Sequence, residues 1–371
     1  MADLITVINN VHFANPVMPA AGPNVRTGEL MVQAAQGGAG GLVSKTVSTT
    51  PADDPRPSIR RTSNGGLTNS ETWSEIPVEH YLNDLARAKE TGLPLVVSIG
   101  YSPEEVHLLG ALIEREVAPD VFEFSTHYTG HGLEPLVNVA RSLRETVATP
   151  VWMKISPNFP DIDALVAAAD PYVDAFVAIN SFGPVLEIDI DDPRPRLGTT
   201  AGTGWMSGPP IRPIALEIVR RLCGLTEKPV IGVGGVATGR DAIQFIMAGA
   251  SAVQVCSAAI EHGQEIYGKI AAEIEAWLDE HGHSGIDAIR GTYAARGTYK
   301  PERAPVMSAA ARMTIDPEKC TGCRKCLGSC VHGAISMPEK IAVVDTDRCI
   351  GCGYCQDSCR YDAMRLTEES V

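Results

Sequence analysis

Cys320-Thr321-Gly322-Cys323-Arg324-Lys325-Cys326-Leu327-Gly328-Ser329-Cys330 and Cys349-Ile350-Gly351-Cys352-Gly353-Tyr354-Cys355-Gln356-Asp357-Ser358-Cys359 repeat one spacing, C-x2-C-x2-C-x3-C. On a tight loop this spacing offers three thiolates to one [4Fe-4S] cube while the fourth cysteine reaches the other. Cys320, Cys323, Cys326 and Cys359 are therefore expected on one cluster, and Cys349, Cys352, Cys355 and Cys330 on the second. Disulfides and zinc ribbons compete for eight cysteines. The doubled register, with Gly322 and Gly351 two places after each first Cys, speaks against both. Two such clusters move single electrons, so a group that handles electrons in pairs is expected upstream.

The 371 residues suit a large barrel with a small appended domain. Apolar content of 44% is enough for a packed core, and the net charge of −14 leaves no basic surface for nucleic acid. Of ten cysteines only Cys223 and Cys256 lie outside the two runs, a usage that points to a reducing cytoplasm. The first residues lack a basic flank and are interrupted by Asn9, Asn10, His12 and Asn15, unlike a signal peptide. No apolar run is long enough to span a membrane.

Residues 4–13 alternate around Asn9-Asn10 as a hairpin does, placed to close one end of the main fold. From there one unit repeats: a short apolar run, a loop, then a helix with an apolar stripe. The strand candidates are Val17–Ala20, Leu42–Lys45, Leu95–Ile99, Val121–Phe124, Val151–Ile155, Ala175–Ile179, Val230–Val233 and Ala252–Val255. Helices are read at Pro103–Glu116, Pro135–Thr146, Asp161–Ala169, Pro210–Leu222, Arg240–Ala248 and Glu265–Glu280. The pattern predicts a (β/α)8 TIM barrel over residues 1–282, with a doubly wound sheet as the alternative. An irregular connector over 283–315 leads to a two-[4Fe-4S] α+β domain over 316–371.

In such a barrel the chemistry lies past the C-terminal ends of the strands. Small residues, Ala20-Ala21-Gly22-Pro23, follow the first strand and would let a flat ring approach the backbone. Lys45-Thr46 ends the second strand and Lys154 lies in the fifth. Gly234-Gly235-Val236 and Cys256-Ser257 end the last two, where barrels commonly bind phosphate through backbone N–H groups. A phosphate site, two lysines and small residues under a ring together suggest FMN, with Lys154 or Lys45 stabilising negative charge on the reduced flavin.

The stretches carrying Ser207-Gly208-x-x-Ile211-Arg212-Pro213-Ile214-Ala215-Leu216, GVGGVATGRDAIQFIMAGAS followed by VQVCSA, Lys45-Thr46, Lys154 and Asn180-Ser181 resemble a known family. They are similar to the FMN-binding barrel of dihydroorotate dehydrogenases. The likeness is greater still to the barrel-plus-ferredoxin half of dihydropyrimidine dehydrogenase and to the iron–sulfur subunit of its bacterial two-subunit counterpart. The resemblance implies that Ala20, Lys45, Thr46, Lys154, Ile179, Ser207, Gly208, Gly234, Gly235, Val236, Cys256 and Ser257 surround FMN. It also implies that Asn69, Asn180 and Ser181 hold a substrate ring. Cys256 is then a small residue beside the phosphate and Cys223 a core residue.

The chain departs from these patterns in two places. The Pro that follows the fourth Cys in bacterial ferredoxins is Val331 in one run and Arg360 in the other, a change that bears on cluster solvation and potential rather than ligation. The family's E-L-N-x-S-C-P (or S-S-P) after the fourth strand, whose Cys or Ser transfers a proton, reads here Glu123-Phe124-Ser125-Thr126-His127-Tyr128-Thr129-Gly130. Ser125 stands for the Asn, and Ser125, Thr126 and His127 become candidates for substrate binding. Tyr128 takes the acid–base position. His127 and His131 are rival proton donors, since imidazole titrates near neutrality, and a structural role for all three is the remaining reading.

The expectation is an FMN and iron–sulfur oxidoreductase that reduces, or forms, a C=C bond conjugated to a carbonyl or amide of a small unsaturated substrate. Its catalytic residues are expected to be Tyr128, His127 and Lys154. No separate dinucleotide-binding unit is evident, so electrons are expected from a partner, either an NAD(P)H-oxidising flavoprotein subunit or a ferredoxin, in a homo- or hetero-oligomer. The competing readings are an authentic dihydropyrimidine dehydrogenase subunit, a tRNA dihydrouridine synthase, a flavin-free barrel acting on a sugar phosphate and a non-catalytic electron carrier. The segment Phe182–Met206, rich in acidic residues, reads as a lid or as a solvated surface excursion.

Overall fold

A computed structural model describes residues 2–125, 132–293 and 312–367. The chain forms two compact units, Met1–Arg296 and Gly297–Val371.

The first unit opens with an antiparallel hairpin of β1 (Thr6–Ile8) and β2 (Val11–Phe13). Asn9 and Asn10 turn it with φ of 51° and 64°, the left-handed region that Asn tolerates better than most residues. Eight parallel strands follow: β3 (Val17–Pro19), β4 (Leu42–Val43), β7 (Leu95–Ile99), β8 (Val121–Ser125), β9 (Val151–Ile155), β10 (Ala175–Ala178), β13 (Val230–Val233) and β14 (Ala252–Val255). They pair in the order β3-β14-β13-β10-β9-β8-β7-β4. The two ends of that order are consecutive along the barrel, and Gly40 N donates to Val17 O at 2.7 Å between them. A doubly wound sheet would break this cyclic order, so the barrel reading holds.

The helices of this unit are α1 (Gly28–Gln36), α2 (Val78–Lys89), α3 (Pro103–Glu116), α4 (Leu133–Thr146), α5 (Ile162–Ala169), α6 (Arg212–Leu222), α7 (Gly239–Met247), α8 (Ser257–His262) and α9 (Ile266–Glu280). Their apolar stripes pack on the outward side chains of the strands, where Val97, Phe122, Met153, Phe176 and Val253 are buried.

The inward side chains form a separate cluster drawn from every barrel strand: Met18, Val43, Val96, Val121, Trp152, Val177, Ile231 and Ala252. Ile8 and Phe13 of the hairpin join it. Phe13 lies 6.0 Å from Trp152, whose Nε1 donates to Asn9 Oδ1 at 2.8 Å, while Asn9 Nδ2 donates to Asp174 O just before β10. The hairpin therefore closes the N-terminal end. Strand alternation returns the same face two residues later. There the lining turns polar, with Lys45, Glu123, Lys154 and Gln254 all buried. The apolar plug and the polar floor above it leave only the C-terminal mouth for chemistry.

At that mouth β5 (Ile59–Arg61), β6 (Leu67–Asn69), β11 (Phe182–Val185) and β12 (Gly204–Ser207) form an antiparallel sheet in the order β11-β12-β6-β5. The segment Phe182–Met206, read as a lid or a solvated surface excursion, begins and ends in strands of this sheet. Its ends are strands, β12 pairing Trp205 with Asn69, and its middle runs outward to Ile190, which is 90% exposed. The short, Gly- and Pro-containing β11 gives little period-two signal of its own, so only its partner reveals it.

The second unit pairs β15 (Arg312–Ile315) with β18 (Met364–Thr367), and β16 (Ile335–Ser336) with β17 (Val343–Val344). Two short helices, Lys325–Ser329 and Tyr354–Asp357, each follow a residue in the left-handed region. Among the described residues no helix is long and apolar enough to cross a membrane.

Candidate active site

The strand ends and the mouth sheet enclose a cavity of about 180 Å³. The structure brings to its wall Ala20, Lys45, Thr46, Lys154, Ile179, Ser207, Gly208, Gly234, Gly235, Val236, Cys256 and Ser257, together with Asn69, Ser125, Asn180 and Ser181. Thr126, His127, Tyr128 and His131 lie outside the described residues.

The floor is a buried polar triad. Lys154 Nζ, on β9, lies 3.5 Å from Glu123 Oε1 of β8 and 3.4 Å from Gln254 Oε1 of β14. Gln254 Nε2 in turn donates to Glu123 Oε2 at 2.7 Å. Glu123 is wholly inaccessible, and an unpaired carboxylate there would be expensive. On the wall Lys45 Nζ pairs with Glu71 Oε2 at 3.1 Å, and Ser58 Oγ donates to Glu71 Oε1 at 3.2 Å.

One end of the cavity suits an anion. Ser207 Oγ and Ser257 Oγ lie 3.0 Å apart. Gly208, Gly234 and Gly235 have positive φ, and a Cβ on Gly235 would stand 2.7 Å from Gly208 O and 2.8 Å from Arg212 Cβ. Two hydroxyls over bare backbone at the start of α8 are what a phosphate needs. At the first strand end, a Cβ on Gly22 would come within 2.6 Å of Cys256 Sγ and 2.9 Å of Asn24 Oδ1, so glycine leaves those two side chains in place. The residues present fit FMN: the two serines and the bare glycine backbone could hold its phosphate, and the small residues Ala20–Gly22 with Lys154 could hold its ring. Cys256 donates to Asn24 Oδ1 at 3.1 Å, and burial pushes its thiol up to about 11, which keeps it protonated. Burial does the same for Cys223, up to about 11, which packs against Gly249 and is not part of the cavity lining.

Toward the open side, Asn180 Nδ2 donates to Ser125 Oγ at 2.8 Å, and its Oδ1 accepts from Ser181 N. Asn69 Nδ2 donates to Trp205 O at 3.1 Å, a bond made possible by the β6–β12 pairing.

Residues that the sequence reading left out also reach the site: Glu71, Thr72, Tyr101 and Gln254 line it, and Glu123 supports it. Tyr101 packs on Trp73 with ring centroids 5.2 Å apart, and burial raises its phenol well above the ordinary value. Glu105 places it: Tyr101 N and Ser102 N both donate to Oε2 of Glu105, the N3 residue of the capping box whose N-cap is Ser102 at the start of α3. Partial burial opposes ionisation of Glu105, yet hydrogen bonds from Ser48, Tyr101 N and Thr49 hold its carboxyl below the usual range. Strand alternation was the available signal for Gln254 and Glu123, each two residues beyond an inward apolar side chain. Tyr101 carries no comparable local mark.

In the second unit one cavity is bordered by Cys320, Cys323, Cys326 and Cys359, and another by Cys330, Cys349, Cys352 and Cys355. Ala342 N points at Cys320 Sγ (3.5 Å), Ala334 N at Cys330 Sγ (3.3 Å) and Ala363 N at Cys359 Sγ (3.4 Å). Such N–H···S bonds favour thiolate ligands and raise cluster potentials. Among the described residues no three His, Cys, Asp or Glu side chains converge as a single metal ion requires. The all-sulfur donor sets around a wider space fit iron–sulfur clusters.

The profile of the dihydroorotate dehydrogenase family matches residues 116–278, and that of a 4Fe-4S dicluster domain matches residues 312–360. The chain is 33% identical over 300 residues to the "Dihydroorotate dehydrogenase B (NAD(+)), catalytic subunit" of Methanothermobacter thermautotrophicus, covering 78% of this chain and 97% of the relative. The protein of the same description from Pyrococcus furiosus is 34% identical over 293 residues, with 76% and 95% covered. That of Methanosarcina mazei is 35% identical over 303 residues, with 78% and 94% covered. A cavity whose residues fit a flavin, a second unit with eight cysteines and relatives aligned over nearly their whole length lead to one conclusion: the chain belongs to the dihydroorotate dehydrogenase family, FMN-type oxidoreductases acting on CH–CH bonds, and carries a 4Fe-4S dicluster domain.

Proposed function

We propose that this chain reduces, or in reverse forms, a carbon–carbon double bond conjugated to a carbonyl or amide, with electrons passing one at a time through two [4Fe-4S] clusters. The observation that supports this most is the gathering of Lys154, the Ser207–Ser257 hydroxyl pair and the amides Asn69 and Asn180 around one cavity. FMN, when bound, supplies hydride exchange at its N5. Lys154, fixed by Glu123 and Gln254, would offer positive charge to the bound ring. Asn69, Asn180, Ser181 and Ser125 orient the substrate's carbonyl and amide edges. Tyr128, His127 or His131 exchanges the proton at the adjacent carbon. The eight cysteines hold the clusters in the two sets described above.

The electron partner in this reading is an NAD(P)H-oxidising flavoprotein subunit or a ferredoxin, in the cytoplasm. The relatives carry the printed name "catalytic subunit" and NAD(+), which favours a separate subunit. The barrel-plus-dicluster arrangement and the SG-x-x-IRPIAL string favour kinship with the iron–sulfur subunit of bacterial dihydropyrimidine dehydrogenase. Ser125 and Tyr128, in place of the family's Asn and Cys or Ser, favour a substrate other than dihydroorotate.

The test is anaerobic. The purified protein is photoreduced and the flavin band followed as uracil, thymine, orotate and a set of enones and enoates are added. Fast reoxidation by one of them is the expected result. Reduced flavin that no unsaturated carbonyl compound reoxidises would overturn the reading and favour an electron carrier.

A further inference from the structure

Each lysine of the cavity wall already has a carboxylate of its own. Lys154 faces Glu123, and Lys45 faces Glu71 at 3.1 Å, with side chains only 7% and 14% exposed. Glu71 follows Asn69 by two residues and borders the same cavity. Its other oxygen accepts from Ser58 and lies 3.8 Å from Arg56, which is itself engaged by Glu75 and Ser58. The remaining charge-bearing wall residues among those described are Glu261, paired with Arg61 at 2.9 Å, and the exposed His262 on α8 with Ser257. The described wall therefore offers no buried cation without a partner.

We propose that Glu71 is a specificity-determining residue that reserves this site for an uncharged, amide- or carbonyl-bearing substrate and turns away one carrying a carboxylate. The proposal rests on the conjugated-alkene reading above. A substrate carboxylate approaching Lys45 must displace Glu71 or share the ammonium with it, and two carboxylates in one desolvated site repel strongly. A neutral amide meets no such opposition and finds Asn69 and Asn180 as hydrogen-bonding partners.

Orotate and uracil differ only by that carboxylate, so they are the probes. Binding of each to the oxidised protein is measured by calorimetry for the wild type and for Glu71→Gln and Glu71→Ala. Wild type is expected to bind orotate weakly, and at least one variant to bind it tenfold tighter or more, with no matching gain for uracil. Micromolar orotate binding by the wild type overturns the proposal. So does failure of both variants to gain tenfold, or an equal gain for uracil. A protein without a flavin band would sink the proposed reaction instead, and the calorimetric comparison would still decide the role of Glu71.

Discussion

The barrel and the dicluster unit solve the problem of holding reactive groups in opposite ways. The barrel's floor joins Glu123, Lys154 and Gln254 from three strands, and its lysines are balanced by carboxylates of the chain itself. Its core is two large apolar clusters, one on each side of the strands. The dicluster unit collects all eight sulfurs between Cys320 and Cys359, and two of the six buried residues of its core, Cys326 and Cys355, are cysteines of those sets. One site is set into a large apolar core; in the other, two of the donors are themselves core residues. The lesson is that loss of the bound group should be local in the barrel and global in the dicluster unit.

The largest expected effect tests that contrast directly. Anaerobic removal of iron by a chelator is expected to unfold Gly297–Val371 while Met1–Arg296 keeps its own thermal transition, because metal-binding energy in such a unit is folding energy. Limited proteolysis with mass spectrometry reads this out. A C-terminal unit that stays protected without iron would break the comparison.

Next comes the buried pair. Lys154→Met leaves buried Glu123 with the Gln254 amide but without its cation, at an expected cost of about 3–5 kcal/mol. Urea unfolding should show that loss, and Lys154→Met/Glu123→Gln should recover most of it. If the double variant is as unstable as the single, the charge balance is not what Glu123 contributes.

The cysteines sharpen the contrast on a smaller scale. Reaction with iodoacetamide needs the thiolate, and raising Cys256 from 9.0 to about 11 lowers its thiolate fraction at pH 8 about a hundredfold. Its alkylation should therefore be slow and rise about tenfold per pH unit up to that value. Cys323 and Cys352, which are exposed, should react readily in iron-free chain. Peptide mapping distinguishes the three, and equal rates would refute the burial argument.

The smallest effect lies at the barrel's closed end. Asn9→Ala strips the partner from the Trp152 indole N–H and is expected to cost about 1–3 kcal/mol by urea unfolding, with ligand binding at the far mouth unchanged.

Much of this was readable before any fold was known. The eight barrel strands sit where short β-branched runs alternate with amphipathic stretches, because each strand is buried on both faces and each helix on one. The Asn9-Asn10 turn was readable because few residues other than Asn accept positive φ twice in succession. The mouth sheet was not, since three- and four-residue strands such as Leu67–Asn69 and Gly204–Ser207 gain their identity only by pairing across 136 residues, as Asn69 does with Trp205.

By itself, then, the sequence determined the periodicities: the cysteine spacing, the order of strands and helices, and the small residues at strand ends. These depend on near neighbours along the chain, which is why they survive without coordinates. Only the tertiary structure decided who faces whom. Lys154 meets a carboxylate 31 residues away and an amide 100 residues away, and Lys45 meets Glu71 across 26. A charge's partner, and hence whether it is free to bind a substrate, is set by which strand ends converge in the closed barrel. No local pattern of residues records that.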